Sequence, residues 1–182
     1  FGNDSPAHRT LYGQIPVEFV LTDPDIHLSQ PAGIDGLGTT DSWTNTHGGV
    51  ALCYETGYEN AVQDVPKHLL TVLKLLELCE LATSNFTAHV KKMNGIATQH
   101  VFKLVHCELV NKTKKSFVYA PGVEKGIWMS FIEGSLVGTY DDGTEVCFPK
   151  TGLLMFPTAT RKLLFGEKAP NQSLYYIARQ ID

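Results

Sequence analysis

A glutamate that ends an apolar run is the residue of this sequence best suited to acid–base chemistry. Glu55 follows the continuous apolar stretch 50–54 and precedes Thr56 and Gly57. In open α/β sheets, ligands bind outside the carboxyl ends of the strands. A partly desolvated carboxylate at such a place can accept a proton and then return it, so Glu55 is a candidate general base. The alternative is that Glu55 is only the first solvated residue after a strand.

A histidine and a cysteine precede this glutamate. His47 lies eight residues before Glu55, beside Gly48 and Gly49, and is a candidate for binding a substrate or an oxyanion. The alternative is a loop histidine that is bonded to the backbone. Together with Cys53 it would suggest a thiol nucleophile. However, Cys53 lies within the apolar run, where the thiolate is disfavoured.

Residues that could bind a metal ion are scattered along the chain. None of the seven histidines begins an H-x-x-E or belongs to an H-E-x-x-H motif. Asp25 and His27 form a D-x-H, in which a carboxylate could orient a ligating imidazole. His106 and Glu108 share one face of a predicted strand, and His68 is predicted to be solvated on the first turn of a helix. Because a catalytic zinc ion needs three protein ligands, these residues predict no complete metal site.

The remaining reactive side chains favour ordinary structural roles. Lys150 lies at a predicted turn between two strands, where some small β domains carry a lipoyl or biotinyl group. Its neighbours, Pro149 and Thr151, are not the usual flanks of such a lysine, so a solvated turn lysine is the simpler interpretation. The cysteines form no C-x-x-C pair, which predicts buried, reduced thiols and fits a reducing cytoplasm. They are Cys53, Cys79, Cys107 and Cys147.

Composition excludes two classes of partner. The chain has 182 residues and a formal net charge of -4, which argues against a basic surface for nucleic acid. No apolar run reaches the roughly 18 residues that a membrane span requires. No charged start followed by an apolar stretch is present, so the sequence shows no signal peptide.

The elements that would position Glu55 occupy the first part of the chain. Residues 16–21 predict a strand, and residues 22–48 predict a long loop rich in Gly, Pro and Asp. The run 50–54 lacks alternation and predicts a strand buried on both faces. A helix follows, with Asp64 as its N-cap and Pro66 in its first turn.

That helix carries a leucine-rich stripe. Leu69, Val72, Leu73 and Leu76 recur at helical spacing and are predicted to pack into the core. Further leucines, at 70, 75, 78 and 81, widen the stripe. Strand, long loop, strand and helix together indicate an α/β arrangement.

The second part of the chain predicts short strands joined by turns. Asp141, Asp142 and Gly143 are typical of a hairpin. Many short strands at close spacing indicate a small barrel or sandwich. The division predicts an α/β part over residues 1–83 and a β-rich part over residues 84–182. The predicted strands lie near residues 101–110, 116–119, 126–131, 136–140, 144–147, 152–156 and 174–178.

Two stretches together resemble the succinylglutamate desuccinylase/aspartoacylase family. Residues 48–57, followed by the apolar helix, are similar to the segment that ends in E-x-G and carries that family's catalytic glutamate. Residues 117–126, with A-P-G at their centre, resemble the start of its C-terminal β domain. Further matching positions in that domain are Gly134, Gly138, Pro149 and Gly152. The resemblance spans roughly residues 45–180.

The resemblance implies a zinc-dependent amidohydrolase that removes an acyl group from an N-acyl amino acid. Residues 1–83 would be the C-terminal part of a zinc-peptidase-like α/β core, and residues 84–182 a barrel-sandwich hybrid domain of the lipoyl/biotinyl type. In that family zinc activates water and the glutamate shuttles the proton, a role that falls to Glu55. A homo-oligomer is compatible with this. The alternative is a non-catalytic module that binds a ligand or a partner.

The resemblance also implies where the zinc ligands lie. The family's ligands are an H-x-x-E pair and one later histidine, all upstream of the E-x-G motif. Because this chain has no H-x-x-E, those ligands are expected before Phe1, in the missing N-terminal part of the same core. The chain alone is therefore expected to be inactive.

We predict that the purified 182-residue chain holds no stoichiometric zinc, because no three of its residues form a recognisable ligand set. Elemental analysis of the purified chain checks this, with the His27→Ala variant as the comparison. One tightly held zinc ion per chain, lost in that variant, would show that the metal site had been misplaced.

Overall fold

The computed structural model describes residues 5–22, 43–45, 47–54, 64–81, 98–111, 113–126, 128–157, 162–164 and 173–181. Within these ranges the chain is a mixed α/β structure with two sheets. The helices are α1 (Pro6–Tyr12) and α2 (Val65–Leu78), with a 3₁₀ turn at Val123–Lys125. The strands are β1 (Phe19–Thr22), β2 (His100–Leu109), β3 (Ser116–Tyr119), β4 (Met129–Phe131), β5 (Leu136–Tyr140), β6 (Glu145–Cys147), β7 (Gly152–Met155), β8 (Lys162–Leu164) and β9 (Ser173–Gln180).

The larger sheet has the strand order β1-β2-β9-β7-β4. Its β1–β2 pair is parallel, and its other pairs are antiparallel. One sheet therefore takes strands from both the first and the second part of the sequence. The predicted boundary at residues 83 and 84 lies outside the described ranges, so the division into two domains stays a prediction.

The smaller sheet has the order β6-β5-β3-β8 and shares a core with the larger one. Phe117, Tyr119 and Val137 from the smaller sheet pack with Tyr175 and Ile177 from β9. Burial of these large apolar side chains is the main favourable term in holding the two sheets together. Apart from β1, the strands of both sheets come from the predicted β-rich part, and the barrel-sandwich detail stays a prediction.

Both faces of the β1–β2 pair are covered, which is usual for parallel strands. Val20 and Val101 face a cluster that includes Tyr12 from α1 and Leu75 from α2. On the opposite face, Leu21 belongs to a second cluster with Phe102, Met155, Tyr176 and Ala178. The helices therefore lie on one side of this strand pair. No helix in the described part of the chain has both the length and the apolar character that a bilayer crossing requires.

The predicted strands of the second part are confirmed, with small changes at their ends. The main shortening is at 126–131, where only Met129–Phe131 is a strand and a 3₁₀ turn precedes it. Strand β8 and helix α1 were not predicted. Among the described residues from 100 to 180, no helix exceeds two turns.

The predicted hairpin is present between β5 and β6. Gly143 has a φ of 85°, a backbone conformation that glycine adopts without steric cost. The Asp141 carboxylate accepts hydrogen bonds from the backbone N–H groups of Lys115 and Ser116, which lower the pKa of Asp141. Hydrogen bonds from the Lys114 ammonium and then from Thr144 lower the pKa of Asp142 to about 2.

The predicted interior strand at residues 50–54 is wrong. Only Leu52 makes an isolated bridge there, and Val50 is exposed. The physical reason is a competing interaction. The backbone N–H and C=O of Ala51 are both bonded to the side chain of Asn45, which takes the place of a neighbouring strand.

The helix predicted after residue 64 is confirmed, but its predicted cap is not. Asp64 precedes α2 with a helical backbone, and its carboxylate makes no capping hydrogen bond. Pro66 lies in the first turn, as predicted. Proline tolerates this position because the first backbone N–H groups of a helix have no partner within it.

The prediction that the leucine-rich stripe of α2 packs into the core is wrong for part of the stripe. Leu70 is 8% exposed and faces inward, whereas Leu69 is 57%, Val72 is 45% and Leu76 is 37% exposed. Leu75 packs against the cluster beside β1. Leucines surround much of this helix, so the spacing did not single out one face. The inward face is the one on which Leu75 and Leu78 pack against the cluster beside β1.

We expect Leu70→Ala to lower the free energy of unfolding by about 2–3 kcal/mol, because it leaves a cavity in a packed site. Its neighbour supplies the matched control. Leu69→Ala should change the free energy by less than about 0.5 kcal/mol, since that side chain is mostly solvated. Chemical denaturation of both variants measures the difference. Equal losses in the two variants would contradict the assignment of the buried face.

Two buried tyrosines in the shared core differ in how their hydroxyl groups are satisfied. The Tyr119 hydroxyl donates to the carbonyl of Leu174 at 2.5 Å. The Tyr175 hydroxyl is buried and has no hydrogen-bond partner in the described structure. Burial, together with the nearby Glu108 carboxylate, raises the pKa of Tyr175. Removal of each hydroxyl should therefore have a different effect.

We expect Tyr119→Phe to lower the free energy of unfolding by about 1–2 kcal/mol, because the Leu174 carbonyl loses its donor. Tyr175→Phe should leave stability unchanged or raise it by up to about 1 kcal/mol, since an unsatisfied buried hydroxyl is removed. Thermal or denaturant unfolding of the two variants provides the comparison. A loss in Tyr175→Phe as large as that in Tyr119→Phe would mean that the Tyr175 hydroxyl has a partner.

Candidate functional site

The candidate site is the segment that leads to Glu55 and the side chains that hold it. Glu55 itself lies outside the described residues, as does His27. The structure describes residues 47–54 immediately before the glutamate, a helical turn at residues 43–45, and α2 after it. The contacts of residues 47–54 therefore define the position from which the chain continues to Glu55.

The Asn45 side chain holds Ala51 at two points. Asn45 Oδ1 accepts from the Ala51 N–H at 2.9 Å, and Asn45 Nδ2 donates to the Ala51 carbonyl at 3.3 Å. His8, a buried residue of α1, places its Nε2 2.9 Å from the same Oδ1. The other ring nitrogen of His8 lies 2.7 Å from Ser5 Oγ. A chain of polar contacts thus links the start of α1 to the backbone of Ala51.

The last residue before Glu55 is tied to α2. The Tyr54 hydroxyl and His68 Nδ1 lie 2.7 Å apart, and the two rings meet edge to face. The expectation that His68 is simply solvated is therefore wrong, because the residue is half-buried and its Nδ1 contacts the Tyr54 hydroxyl. This contact connects the end of the segment to the first turn of the helix.

His47 lies on the surface of this region. Its Nδ1 is 2.7 Å from the Trp43 carbonyl oxygen, and its ring stacks on the indole of Trp43 at a centroid distance of 4.1 Å. The contact with a backbone carbonyl agrees with the simpler of the two sequence interpretations. Binding of a substrate by His47 stays a prediction.

The described residues do not fit a zinc ion. His106 Nε2 and Glu108 Oε2 are 3.1 Å apart on the same face of β2, as their alternation predicts. Nevertheless, no three His, Cys, Asp or Glu side chains within the described ranges come together in a way that could bind one metal ion. The pair on β2 is therefore a hydrogen-bonded contact and provides at most part of a ligand set.

Lys150 is tethered rather than solvated. Its Nζ donates to the carbonyl of Val105 at 3.1 Å, and the side chain is half-buried. Val105 is the extra residue at a bulge in β2, where the ladder with β9 shifts register. A carbonyl at a bulge often lacks a strand partner, and the lysine ammonium supplies a donor. A lysine whose ammonium group is held in this way is not exposed for attachment of a lipoyl or biotinyl group.

The cysteines are free thiols but are less buried than predicted. Cys53 and Cys107 are half-buried, whereas Cys79 and Cys147 are exposed. The prediction of four buried thiols is therefore wrong for two of them. Cys79 follows the last turn of α2, and Cys147 lies on β6 at the edge of the smaller sheet. Residues at these places have fewer neighbours to cover them.

Sequence reasoning missed His8 and Asn45. A local signal for His8 was present, because Ser5 followed three residues later by a polar side chain is the pattern of a helix N-terminal cap. The Ser5 side chain indeed accepts from the His8 N–H. No local pattern pointed to Asn45, since its partner His8 is 37 residues away in sequence.

Comparison with known proteins gives little similarity. No protein-family model matches the chain, and no curated protein matches it. A solved structure of a Shewanella amazonensis protein assigned to the succinylglutamate desuccinylase/aspartoacylase family aligns with a TM-score of 0.44 and 10% identity. The alignment covers 96% of this chain and 50% of the other, so this chain spans about half the length of that protein. A likeness this distant carries no argument about function.

Proposed function

We propose that this chain supplies the general-base segment of a hydrolase that cleaves the linear amide bond of N-acyl amino acids. The observation that supports the proposal most is the order of the motifs. The E-x-G segment at Glu55 is followed directly by an apolar helix and then by the β-rich part with its A-P-G turn. Glu55 would be the residue that moves the proton.

Amide hydrolysis requires two proton transfers. Water loses a proton as its oxygen attacks the carbonyl carbon, and the amine nitrogen gains a proton as the C–N bond breaks. One carboxylate can carry out both steps, first as the base and then as the acid. We assign both proton transfers to Glu55, because it is the carboxylate that directly follows residues 47–54.

The β-rich part would act as a scaffold in this proposal. Two glycines of the matching series are explained by its geometry. Gly122 has a φ of 88° in the turn before Val123–Lys125, a conformation that L side chains rarely adopt. At Gly138, a Cβ atom would meet the Val118 carbonyl oxygen and the ring of Phe117. These two glycines therefore meet a structural requirement of the β-rich part. Separately, the hydrogen bond from Lys150 to the Val105 carbonyl argues against a carrier domain modified at this lysine.

Zinc enters the proposal only as a cofactor that other residues would bind. The sequence contains no H-x-x-E pair, and the described residues provide no cluster for the ion. In the proposal the ligands belong to the remaining part of the same core, which would be this chain's main partner. The role assigned to this chain is limited to the proton transfers of Glu55 and to the support of its segment.

A second function is favoured by a different observation. The face of α2 formed by Leu69, Val72 and Leu76 is apolar and exposed. Exposed apolar patches often mark the surfaces by which proteins bind one another. A non-catalytic module that binds an apolar surface of a partner protein would use this face and would not require Glu55.

Glu55→Gln should reduce hydrolysis of N-acetyl or N-succinyl amino acids by the intact, zinc-supplied protein by a factor on the order of 10²–10⁴. The amide cannot accept the proton of the attacking water, yet it keeps the size of the side chain. Release of the free amino acid, followed by mass spectrometry, measures the rate. Glu145→Gln is the matched control, because Glu145 is exposed on β6.

Turnover at the wild-type rate by Glu55→Gln, with the substitution verified by mass, would exclude the role of Glu55. If the intact protein hydrolyses none of these substrates, the hydrolase proposal fails. The exposed face of α2 would then be the feature to pursue.

A further inference from the structure

The Asn45 side chain bonds the backbone of Ala51, four residues before Glu55, and is itself contacted by His8 from 37 residues away. We infer that Asn45, oriented by His8, is a positioning residue for the proposed general base Glu55. The inference rests on the proposed role of Glu55 and adds residues that support it. Its structural part concerns described residues only and can be tested without any activity.

The direction of each hydrogen bond follows from the Asn45 amide. The Ala51 N–H donates to Asn45 Oδ1, and the Ala51 carbonyl accepts from Asn45 Nδ2, which fixes which end of the amide carries the oxygen. Because Oδ1 can only accept, His8 Nε2 must carry a proton and donate to it across 2.9 Å. Oδ1 therefore accepts two hydrogen bonds, one for each lone pair.

The same argument fixes the other side of the histidine. With Nε2 protonated, Nδ1 of a neutral imidazole is an acceptor, and the Ser5 hydroxyl 2.7 Å away donates to it. His8 is buried, so water competes little for these bonds. His8 is thereby held from both sides and keeps the Asn45 amide in one orientation.

The contacts of Asn45 replace those of a strand partner. Ala51 lies outside any strand, so its backbone N–H and C=O groups would otherwise be left to solvent. Asn45 gives Ala51 both an acceptor and a donor, and His68 holds Tyr54 at the other end. Glu55 follows Tyr54 by one peptide bond, about 3.8 Å between Cα atoms. Residues 51 and 54 are therefore both held in the described segment from which the chain continues to residue 55.

Restriction of this kind matters for a general base. A misplacement of about 1 Å, caused by a change away from the reacting atoms, can lower a rate by about 10²-fold. Loss of the Asn45 contacts should thus affect the chemical step more than it affects binding of the substrate. That distinction separates a positioning residue from one that binds the substrate directly.

The structural arm of the test measures amide hydrogen exchange at Ala51 in the full chain. Asn45→Ala should speed exchange at Ala51 by about 10-fold or more, because the acceptor of its N–H is lost. Asn111→Ala is the matched control, since Asn111 Oδ1 also accepts from a backbone N–H, that of Thr113. This control should leave Ala51 unchanged. Slow exchange in β9 verifies that each variant remains folded.

The functional arm compares kcat and KM in the intact, zinc-supplied protein. Asn45→Ala should lower kcat by about 10- to 10²-fold and leave KM within about twofold. Asn45→Asp keeps an oxygen that accepts from both Ala51 and His8 but loses the donor to the Ala51 carbonyl, so it should recover only part of the protection and of kcat. Asn111→Ala should retain both constants.

The outcomes separate the two proposals. Unchanged exchange at Ala51 in Asn45→Ala overturns the inference whether or not the protein is active. Faster exchange with an unchanged kcat overturns the positioning role alone. Faster exchange with a lower kcat and an unchanged KM, both partly restored by Asn45→Asp, supports it. If the intact protein hydrolyses no N-acyl amino acid, the proposed function fails and the role toward Glu55 fails with it, while the exchange data still decide whether Asn45 holds Ala51.

Discussion

The antiparallel pairing of β2 with β9 is the interaction on which the rest of the structure depends. These two strands lie at the centre of the larger sheet, with β1 beside β2 and β7 beside β9. Side chains of β9 contribute to a core on each face, since Tyr175 and Ile177 face the smaller sheet and Tyr176 faces the opposite side. Because the two strands are about 70 residues apart in sequence, this pairing requires closure of a long loop, which is entropically costly before the contacts form.

The bulge in the β2–β9 pairing affects the contacts of neighbouring side chains. The extra residue Val105 shifts the register of β2, and the Lys150 ammonium donates to its carbonyl. Beyond the bulge, His106 and Glu108 lie on the face that carries Tyr175. The His106–Glu108 hydrogen bond thus lies beside Tyr175, whose buried hydroxyl group is unsatisfied. The bulge therefore provides the carbonyl that Lys150 binds. Beyond it, the side chains of His106 and Glu108 are partly buried.

The segment before Glu55 depends on a different kind of interaction. Among the described residues, it is held by side chains and by one isolated bridge at Leu52, without a ladder of strand hydrogen bonds. Asn45 and His68 each contribute contacts that reach across the chain, and His8 orients Asn45. Such contacts form only when the elements that carry them have docked. A candidate site built in this way is coupled to the packing of α1 and α2 on the β1–β2 pair.

What the sequence determined by itself was the local structure. The strands of the second part and the hairpin at Asp141–Asp142–Gly143 follow from alternation and turn residues, which act over a few positions. Helix α2 follows from its periodicity and from Pro66. Glu55 was identified from its pattern with Gly57, and its role stays a prediction.

Only the tertiary structure decided which surfaces and contacts are used. Leucines on several sides of α2 left its buried face undetermined by the sequence, and in the folded chain Leu70 is buried while Leu69 is exposed. The apolar run before Glu55 was compatible with a strand until Asn45 occupied the backbone of Ala51. The bond between His8 and Asn45 spans 37 residues, and no local pattern encodes it. Local preferences depend on neighbours in the sequence, whereas burial and side-chain hydrogen bonding depend on which distant elements meet.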